Sequence, residues 1–458
     1  MDSRIIIKDN FKEKEFHMVS KNIKLNIKKT FLVGGATAAI LAGVLPTATA
    51  VKADAPDINA EASLTVDVET GQILQGEEID KELGIASMTK MLVEYIVFEE
   101  IEAGNLEWET EITISDYAYE TSQNYLLSNV PLLSGEVYTL QELYEAMAIY
   151  SANGATIAIA EHIAGSEPAF VDRMMETLES FGISDAKLYN ASGLNNSFLG
   201  DQLYPGSTES DENTMSARSI AIVARRIINE YPEILEIASI PSMVFREETD
   251  AIYMENWNWM LEGLSHERPN VDGLKTGTTD FAGYAFTGSA AQDGRRLITV
   301  VMNAEGEMGD RFVETDRLMD FGFDQFEMQD VVEGWDQVYD YEALEVIDGN
   351  KDIVNFEASE SLEMLMQLDD SVEEDVTYTI EWDSNIVSED GTIEAPFEAG
   401  MEIGQLVVNY TGNELGHLEN DGGNKVALVT SESVGKANVL ALAWNWIVGV
   451  FDSIASRF

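Results

Sequence analysis

The spacing of apolar residues changes near residue 330, and this change limits the possible folds of the chain. Between residues 54 and 325, strand-like runs alternate with runs of helical spacing, whereas beyond residue 330 come short alternating runs such as VTYTIEW (376–382). The first pattern is typical of a mixed α/β (α+β) domain, and short strands without long helices are typical of a small sandwich or barrel. We therefore predict a mixed domain at 54–326 and a small all-β sandwich domain at 327–431.

Turn residues and helical spacing predict the main elements of the first domain. Two hairpins are expected, SLTVDVETGQIL at 63–74 and GYAFTGSAAQDGRRLITVVMNA at 283–304, the second with Asp293-Gly294 at its turn. The first predicted helix contains Ser87-Met88-Thr89-Lys90 and stops at Gly104. Two helices joined around 151–154 come next, and further helices are predicted near 167–181, 216–229 and 310–322.

The first 53 residues have the pattern of a targeting segment. This segment contains nine basic residues and four acidic ones, nearly all of them before the apolar run FLVGGATAAILAGVLP (31–46). Two A-x-A-like sites follow that run, at 48–50 and 51–53. The apolar run is short for a membrane span, and Gly34 and Gly35 interrupt it. We predict a cleaved secretory signal peptide at 1–53, with Met18 as a possible true start, and hence an exported protein.

The C-terminal end carries a second membrane signal. From residue 437 the chain reads ANVLALAWNWIVGVFDSIASRF, which places apolar side chains on one face of a helix and polar ones on the opposite face. Its apolar core is too short to span a bilayer, and its two tryptophans suit the headgroup boundary. We predict an amphipathic membrane-anchor helix at 432–458 that lies on the outer face of the cytoplasmic membrane. A terminal helix packed on its own domain is the alternative.

Charge and cysteine content exclude several classes of protein. The 458 residues contain 27 Lys+Arg and 83 Asp+Glu, a formal net charge of −56, and no cysteine. Direct nucleic-acid binding needs clustered cations, so we expect none. Disulfides, thiolate zinc sites and cysteine nucleophiles are excluded together. The acidic residues of the predicted β domain are scattered rather than grouped, and we expect neither a metal site nor a cofactor.

The segment Ser87-Met88-Thr89-Lys90 contains a candidate nucleophile and its base. At the start of a helix, the i, i+3 spacing places Ser87 and Lys90 on one face, close enough to share a proton. A Ser-His-Asp triad is not expected, because none of the few histidines lies beside a suitable Ser/Asp pair. A lysine base must be neutral when it takes the proton, and burial next to a second cation would lower its pKa accordingly.

Two further short motifs occur in the same part of the chain. The S-x-x-K pattern alone is weak evidence, since it recurs at 184–187 and 433–436, and Ser151-Ala152-Asn153 has a competing S-x-N at 122–124. Lys275-Thr276-Gly277 occurs once. The combination is specific: S-x-x-K at a helix start, then S-x-N between two helices, then K-T-G before a hairpin.

With these motifs the sequence resembles the low-molecular-weight penicillin-binding proteins, the serine-type D-alanyl-D-alanine carboxypeptidases. The resemblance extends to ASMTKMLVEYIV, YNASGLNN, VDGLKTGTTDFAGYAFTGSA and IEAPFEAGMEIGQLVV, and it covers nearly all of the chain after the signal segment. It implies a β-lactamase/DD-peptidase-like fold with an antiparallel sheet and a helical lobe, followed by the β domain and the amphipathic helix. The implied activity is removal of the terminal D-alanine from peptidoglycan pentapeptide stems, with β-lactam antibiotics as covalent inhibitors.

The resemblance also implies roles for individual residues. Ser87 would be the nucleophile, Lys90 the base for acylation, and Ser151 the proton relay to the leaving D-alanine. Lys275 would hold this network and attract the substrate carboxylate, and Asn153 would orient the substrate amide and Lys90. The remaining implied parts are the backbone N–H groups of Ser87 and Thr278 as oxyanion hole, the Thr276 and Thr278 hydroxyls for the terminal carboxylate, and Gly277 for close approach of the substrate.

Two positions stand apart from this pattern. Gly154 follows the S-x-N motif where the family commonly has Asp, and we expect the difference to affect local packing more than chemistry. A further arginine for the substrate carboxylate is not placed by the motifs, and Arg295 and Arg296 are the candidates.

Three other functions remain as alternatives on this scaffold. A class A β-lactamase needs an acid for deacylation, and no E-x-x-L-N pattern follows within fifty residues of Asn153. A DD-transpeptidase or endopeptidase would share the acylation step. A non-catalytic cell-wall-binding protein would be expected to have lost Ser87, Lys90 or Lys275, and all three are present.

Overall fold

The computed structural model describes residues 55–247, 251–334, 343–412, 415–419 and 424–438. The predicted signal peptide at 1–53 and residues 439–458 of the predicted anchor helix lie outside these ranges. The helices are α1 (Lys90–Glu102), α2 (Asp116–Ser122), α3 (Leu140–Tyr150), α4 (Asn153–Ala164), α5 (Glu167–Ser180), α6 (Ala217–Glu230), α7 (Ile234–Ala238), α8 (Asp310–Asp324) and α9 (Val372–Asp375).

Strands form the rest of the regular structure. They are β1 (Ala60–Asp67), β2 (Ile73–Glu77), β3 (Leu83–Gly84), β4 (Glu111–Thr113), β5 (Val137–Thr139), β6 (Thr214–Met215), β7 (Ser242–Phe245), β8 (Ile252–Glu255), β9 (Val271–Thr279), β10 (Gly283–Gln292), β11 (Arg295–Ala304), β12 (Phe326–Val332), β13 (Leu344–Ile347), β14 (Ile353–Val354), β15 (Phe356–Ala358), β16 (Leu362–Gln367), β17 (Val376–Trp382), β18 (Thr392–Glu394), β19 (Glu402–Tyr410) and β20 (Lys425–Thr430).

A five-stranded antiparallel sheet organises the first part of the chain. Its order is β2-β1-β11-β10-β9, so β9 is an edge strand with one free side. Both predicted hairpins are present. The turn between β10 and β11 contains Asp293 and Gly294 at φ +51° and +86°, which is the left-handed pair that a tight two-residue hairpin turn requires.

Helices cover both faces of this sheet. Ile298, Val300 and Met302 of β11 pack into the large core formed with α1 and α3 to α6, whereas Leu297 and Val301 pack against α8. A strand that is apolar on both faces is expected to lie in the middle of a layered α/β structure. The sheet therefore separates a helical lobe from α8.

Local capping fixes the helix boundaries. Thr139 and Glu142 form a reciprocal capping box at α3, and Ser166 accepts from the Ala169 N–H at the start of α5. Gly182 follows α5 at φ +76°, the left-handed conformation that ends many helices. The predicted helices near 167–181, 216–229 and 310–322 correspond to α5, α6 and α8 within two residues.

The C-terminal part has its own hydrophobic core. A three-stranded sheet (β14-β13-β18), a four-stranded sheet (β15-β20-β19-β17) and the pair β12-β16 contribute buried residues to one cluster, between Val331 and Val434. In β17, Val376, Tyr378, Ile380 and Trp382 are buried or half-buried and the residues between them are exposed, as the alternation predicts. The described residues of this part therefore form an all-β structure apart from the single turn of α9.

The described end of the chain continues this β structure. Val434 forms a bridge with Phe397, and Lys436 forms one with Gly349. Residues 432–438 are therefore not helical, and any helix in the predicted anchor segment begins after them. Among the described residues, no helix is both long enough and apolar enough to cross a bilayer.

The loop between β19 and β20 docks on the first part of the chain. Leu418 is buried in the large core there. Glu419 forms ion pairs with Arg225 and Arg226 of α6, at 3.0 and 2.6 Å. The loop therefore connects the two parts through apolar and ionic contacts.

Replacing Leu418 with alanine tests this docking. Leu418 is 6% exposed and Leu415 in the same loop is 39% exposed. We expect Leu418→Ala to lower the free energy of unfolding by about 2 kcal/mol, because a buried leucine leaves a cavity. Leu415→Ala, the control, should change it little. Thermal denaturation of both variants measures the effect, and equal melting temperatures would contradict the docking.

Candidate active site

The predicted nucleophile and base lie at the start of α1. Residues Ala86–Thr89 form a single 3-10 turn, and α1 begins at Lys90. Lys90 Nζ lies 3.1 Å from Ser87 Oγ. The Lys90 side chain is fully buried, at 0% exposure. The structure therefore brings Ser87 and Lys90 into hydrogen-bond contact, at the distance that direct proton transfer requires.

The S-x-N motif lies at the junction of α3 and α4. Ser151 ends α3 in the left-handed conformation, at φ +58°, and α4 begins at Asn153. Asn153 Oδ1 accepts from Lys90 Nζ at 2.8 Å, and Asn153 Nδ2 donates to the Ser128 carbonyl at 3.0 Å. The Ser151 hydroxyl is buried and has no hydrogen-bond partner among the described residues. It remains available to an incoming group.

The K-T-G motif lies on the edge strand β9. The Lys275 and Thr276 side chains are buried, and Thr278 is exposed. The Thr278 hydroxyl donates to the Gly277 carbonyl at 2.7 Å. Because the described residues place no strand on the other side of β9, its backbone can pair with an extended peptide.

Two glycines allow neighbouring segments to approach the turn that carries the nucleophile. A Cβ on Gly277 would lie 2.6 Å from the Ile85 carbonyl oxygen. A Cβ on Gly193 would lie 1.8 Å from the Ala86 carbonyl oxygen, and Gly193 also has φ +77°. Both distances are shorter than any side chain tolerates, so each position requires glycine.

A loop that the sequence analysis left without a role also holds Lys90. The Ser192 carbonyl accepts from Lys90 Nζ at 2.5 Å. Glu167 supports this loop, because its carboxylate accepts from the Ala191 N–H at 2.9 Å and from the Tyr117 hydroxyl at 2.6 Å. Glu167 thus positions the loop that contacts the base.

Burial dominates the electrostatics of the site. The pKa of Lys90 lies well below its usual value because the side chain is buried, and the charge of Lys275 lowers it further. Burial also lowers the pKa of Lys275, and the carboxylate of Glu94 opposes that shift. Burial raises the pKa of Glu94 and brings that of Glu167 to about 7. The site therefore favours a neutral Lys90, which is the form that accepts a proton.

The three motifs line one cleft. Its volume is about 250 Å³. The residues that line it are Ser87, Leu126, Leu127, Ser128, Ser151, Asn153, Leu194, Trp257, Thr276, Thr278, Met308 and Arg311. A serine hydroxyl beside a buried lysine, within a cleft that also presents an arginine, has the parts needed for acyl transfer to or from a carboxylate-bearing substrate.

Comparison with known proteins decides the family. The model of the family described as D-alanyl-D-alanine carboxypeptidase (peptidase family S11) matches residues 49–306, more than half of the chain. The chain belongs to this family. The family and the activity class predicted from the motifs are thereby confirmed.

Relatives of this D-alanyl-D-alanine carboxypeptidase chain extend across most of its length. D-alanyl-D-alanine carboxypeptidase DacF of Bacillus subtilis is 28% identical over 357 residues, which cover 78% of this chain and 83% of DacF. The structure of a peptidoglycan synthesis regulatory factor (PBP3) from Streptococcus pneumoniae is 36% identical with a TM-score of 0.66, over 83% of this chain and all of that one. The structure of penicillin binding protein 5 from Haemophilus influenzae is 26% identical with a TM-score of 0.64, over 84% of this chain and all of that one. The predicted mixed α/β fold of the DD-peptidase type is confirmed, and the amphipathic C-terminal helix stays a prediction.

The two arginines named as candidates for the substrate carboxylate lie elsewhere. Arg295 donates to the Phe326 and Gly322 carbonyls, and Arg296 pairs with Asp272 at 2.8 Å. Along β10, Arg296 lies opposite Ala291 and Lys275 lies opposite Thr287. This separation of four residues corresponds to about 13 Å. The expectation for Arg295 and Arg296 was wrong, because both begin β11 at the end of the sheet away from the cleft.

Arg311 of α8 occupies the expected place instead. Its Nη1 donates to the Thr278 hydroxyl at 2.9 Å and to the Gly277 carbonyl at 3.1 Å, and its Nε has no partner among the described residues. The sequence contained one signal for it. Arg311 falls on the face of α8 that also buries Phe312, Thr315 and Leu318, where a lone arginine is unusual unless it has a specific partner.

Gly154, the departure from the family pattern, lies where α4 meets α2. A Cβ there would lie 2.6 Å from Ser122 Cβ and 2.8 Å from the Ala118 carbonyl oxygen. The Gly154 N–H donates to the Asn129 side chain at 2.9 Å. The two helices therefore approach more closely than an aspartate at this position would allow.

Proposed function

We propose that this chain removes the C-terminal D-alanine from peptidoglycan stem peptides that end in D-Ala-D-Ala, through an acyl-enzyme at Ser87. The observation that carries the proposal is the buried Lys90 amine, 3.1 Å from the Ser87 hydroxyl oxygen in the cleft that Arg311 also lines. A buried lysine with a lowered pKa is a suitable base for a serine that has no histidine partner.

The contacts of Lys90 fit a neutral amine. Such an amine has two N–H groups and one lone pair. The side-chain oxygen of Asn153 and the carbonyl of Ser192 accept the two N–H groups, at 2.8 and 2.5 Å. The lone pair then faces the Ser87 hydroxyl, which donates its proton as its oxygen attacks the carbonyl carbon of the penultimate D-alanine.

Backbone N–H groups stabilise the negative charge that develops on the substrate. In the tetrahedral intermediate the former carbonyl oxygen is negative, and the N–H groups of Ser87 and Thr278 are the proposed donors to it. The C–N bond then breaks, and the departing nitrogen needs a proton. Ser151, whose hydroxyl has no partner among the described residues, passes that proton from Lys90 to D-alanine, with buried Lys275 stabilising the relay.

The substrate carboxylate is recognised by hydroxyls and a cation. Thr276 and Thr278 line the cleft together with Arg311, whose Nη1 already bonds to the Thr278 hydroxyl. The substrate backbone lies along the free edge of β9, and Gly277 lets the turn that carries Ser87 lie close to this strand. Water then hydrolyses the ester at Ser87 and restores the enzyme.

The product assay tests hydrolysis against transpeptidation. The purified protein should release D-alanine from a muramyl pentapeptide that ends in D-Ala-D-Ala, and an added amine acceptor should leave the shortened acid as the main product. Formation of the amide-linked product instead would make the chain a transpeptidase. No release of D-alanine would overturn the proposed function.

The pH profile tests the electrostatics. The carboxylate of Glu94 raises the pKa values of both Lys90 and Lys275. Glu94→Gln should therefore lower the pKa values of the two lysines. The acidic and basic limbs of the profile of kcat/KM against pH should then both move to lower pH. Neutral Lys90 is needed for acylation, so the acidic limb follows its pKa. Glu109→Gln, an exposed control with the same charge change, should leave the profile in place. A limb that moves to higher pH in Glu94→Gln would contradict this arrangement.

We also propose that β-lactams acylate Ser87. The exported protein is held on the outer face of the membrane or in the cell wall by the part of the predicted anchor segment 432–458 that follows residue 438. The support for anchoring is the amphipathic pattern of that segment. Deleting residues 437–458 should move the protein from the membrane fraction to the soluble fraction of cells. Retention on the membrane after the deletion would show that another part of the chain is the anchor.

A further inference from the structure

The loop that follows β8 places a tryptophan at the wall of the catalytic cleft. Trp257 lines the cleft and is half-buried. Its indole Nε1 donates to the Tyr150 carbonyl at 3.2 Å, and the centroids of the two side-chain rings are 6.1 Å apart. Trp257 therefore joins the loop after β8 to the end of α3, directly before the S-x-N motif.

Buried amide side chains on both sides of Trp257 hold this loop. Asn256 is 5% exposed, and its Nδ2 donates to two backbone carbonyls at the end of α7, at 3.2 and 3.0 Å. Asn258 is 1% exposed, and its Nδ2 donates to the carbonyl of Gly273 on β9 at 3.2 Å. Buried polar groups with bonded partners make a segment rigid. The strand that carries the K-T-G motif and the end of α7 thus fix the position of Trp257.

The carbonyl that Trp257 binds belongs to the peptide unit before Ser151. The Tyr150 C=O and the Ser151 nitrogen lie in one plane, because the peptide bond is rigid. This carbonyl is also one of the last four of α3, which have no partner within the helix. The indole bond therefore satisfies a free carbonyl and fixes the plane from which the Ser151 backbone continues.

The Ser151 backbone has a conformation that needs such support. Its φ of +58° is left-handed, which residues other than glycine rarely adopt unless their surroundings hold them there. On the carboxyl side, Asn153 bonds to the Ser128 carbonyl and to Lys90. On the amino side, Trp257 bonds to the peptide carbonyl. The Ser151 hydroxyl, which has no hydrogen-bond partner among the described residues, is thus held from both directions along the chain.

We propose that Trp257 is a positioning residue for the proton relay: its indole N–H holds the peptide before Ser151, so that the Ser151 hydroxyl can reach the leaving nitrogen. The inference rests on the proposed function, since it concerns the step that breaks the C–N bond. In that step the nitrogen takes the proton of the Ser151 hydroxyl, and Ser151 takes a proton from Lys90. A thiolate leaving group departs as an anion and does not need this proton.

Two substrates that differ in the leaving group test the inference. They are Nα,Nε-diacetyl-L-Lys-D-Ala-D-Ala and a thiolester in which thioglycolate replaces the last D-alanine, so that a C–S bond breaks and the terminal carboxylate is kept. Trp257→Phe keeps an aromatic ring and removes the N–H. The purified variant should show a kcat/KM about tenfold lower for the peptide, as expected for the loss of one neutral hydrogen bond that holds a reacting group. The value for the thiolester should stay close to that of the wild-type protein.

Trp259→Phe is the matched control. It makes the same change two residues later, at a half-buried ring that stacks on His266, and it should preserve the ratio of the two kcat/KM values. Ser151→Ala is the reference for a lost relay, and it should lower kcat/KM far more for the peptide than for the thiolester. The ratio within one variant does not depend on the folded fraction, because unfolded protein lowers both values equally.

The outcomes separate the inference from the proposed function. Equal losses for the two substrates in Trp257→Phe, or no loss for either, would overturn the positioning role; if Ser151→Ala still shows the selective loss, the proposed function stands. Equal losses in Ser151→Ala would overturn the relay role of Ser151 and the role of Trp257 with it. Failure of the wild-type protein to release D-alanine would overturn the proposed function itself.

Discussion

Replacing Lys90 with methionine should lower kcat/KM for D-alanine release by about 1,000-fold, because the Ser87 hydroxyl then lacks its general base. Methionine has a similar length and no charge, so the buried space around α1 stays filled. The same variant should be acylated by penicillin at a rate reduced to a similar degree. Stopped-flow or mass-spectrometric measurement of acylation gives this rate directly.

The chain contains a matched control for this variant. Ser184 and Lys187 repeat the S-x-x-K spacing, but Lys187 is exposed and pairs with Glu82. Lys187→Met should leave both D-alanine release and acylation unchanged. If Lys90→Met keeps wild-type acylation, another group takes the proton from Ser87, and the role proposed for Lys90 is wrong.

Replacing Arg311 with glutamine should lower kcat/KM by about 100-fold for peptides that end in a free carboxylate, since charged hydrogen bonds contribute about 1.5–3 kcal/mol each. The effect depends on the substrate carboxylate. We therefore expect wild-type protein to prefer a D-Ala-D-Ala acid over its C-terminal amide, and Arg311→Gln to lose most of that preference. A merely structural arginine would lower the rates for both substrates equally.

Arg296→Gln is the control that the sequence itself suggests. It removes an arginine that pairs with Asp272 at the far end of the sheet, and it should keep the preference for the acid. Steady-state kinetics on the acid and amide substrates measure this preference in the wild-type protein, in Arg311→Gln and in Arg296→Gln. If Arg296→Gln loses the preference and Arg311→Gln keeps it, the placement of the carboxylate in the cleft is wrong.

The parts of the fold that the sequence predicted depend on short-range patterns. The hairpin turn at Asp293-Gly294 follows from the backbone conformations that these two residues favour, and α5 follows from apolar spacing between a capping serine and Gly182. Ser87 and Lys90 are three residues apart, so the helix start alone brings them together. Asn153 and Lys275 could be assigned only through the family resemblance. Asn153 bonds to Lys90 across 63 residues of chain, and Lys275 acts on Lys90 through its charge from still farther along the sequence.

The parts that the sequence did not predict depend on tertiary contacts without a local motif. Arg311 reaches the cleft because α8 packs on the face of the sheet opposite the helical lobe. This packing holds Arg311 against the carbonyl of Gly277, although the two residues are 34 positions apart in the chain. Ser192 reaches Lys90 because Glu167, from a different helix, binds the loop backbone. The docking of Leu418 joins positions about two hundred residues apart for the same reason.

Three cations of this acidic chain are buried at the candidate active site. The formal net charge is −56, yet Lys90, Lys275 and Arg311 are buried within or beside one cleft. Burying several like charges together costs free energy, so it is expected where the charges have a function or where carboxylates lie nearby. Here Glu94 and Glu167 partly offset that charge, and the pKa of Lys90 stays well below its usual value because the side chain is buried and because Lys275 lies nearby.

Peptide mapping by mass spectrometry after incubation with penicillin tests the central claim most directly. The account predicts one penicilloyl adduct per chain, on the peptide that contains Ser87, and no adduct in a Ser87→Ala variant that remains folded. An adduct on a different serine, or no adduct on the folded wild-type protein, would contradict the assignment of Ser87 as the nucleophile.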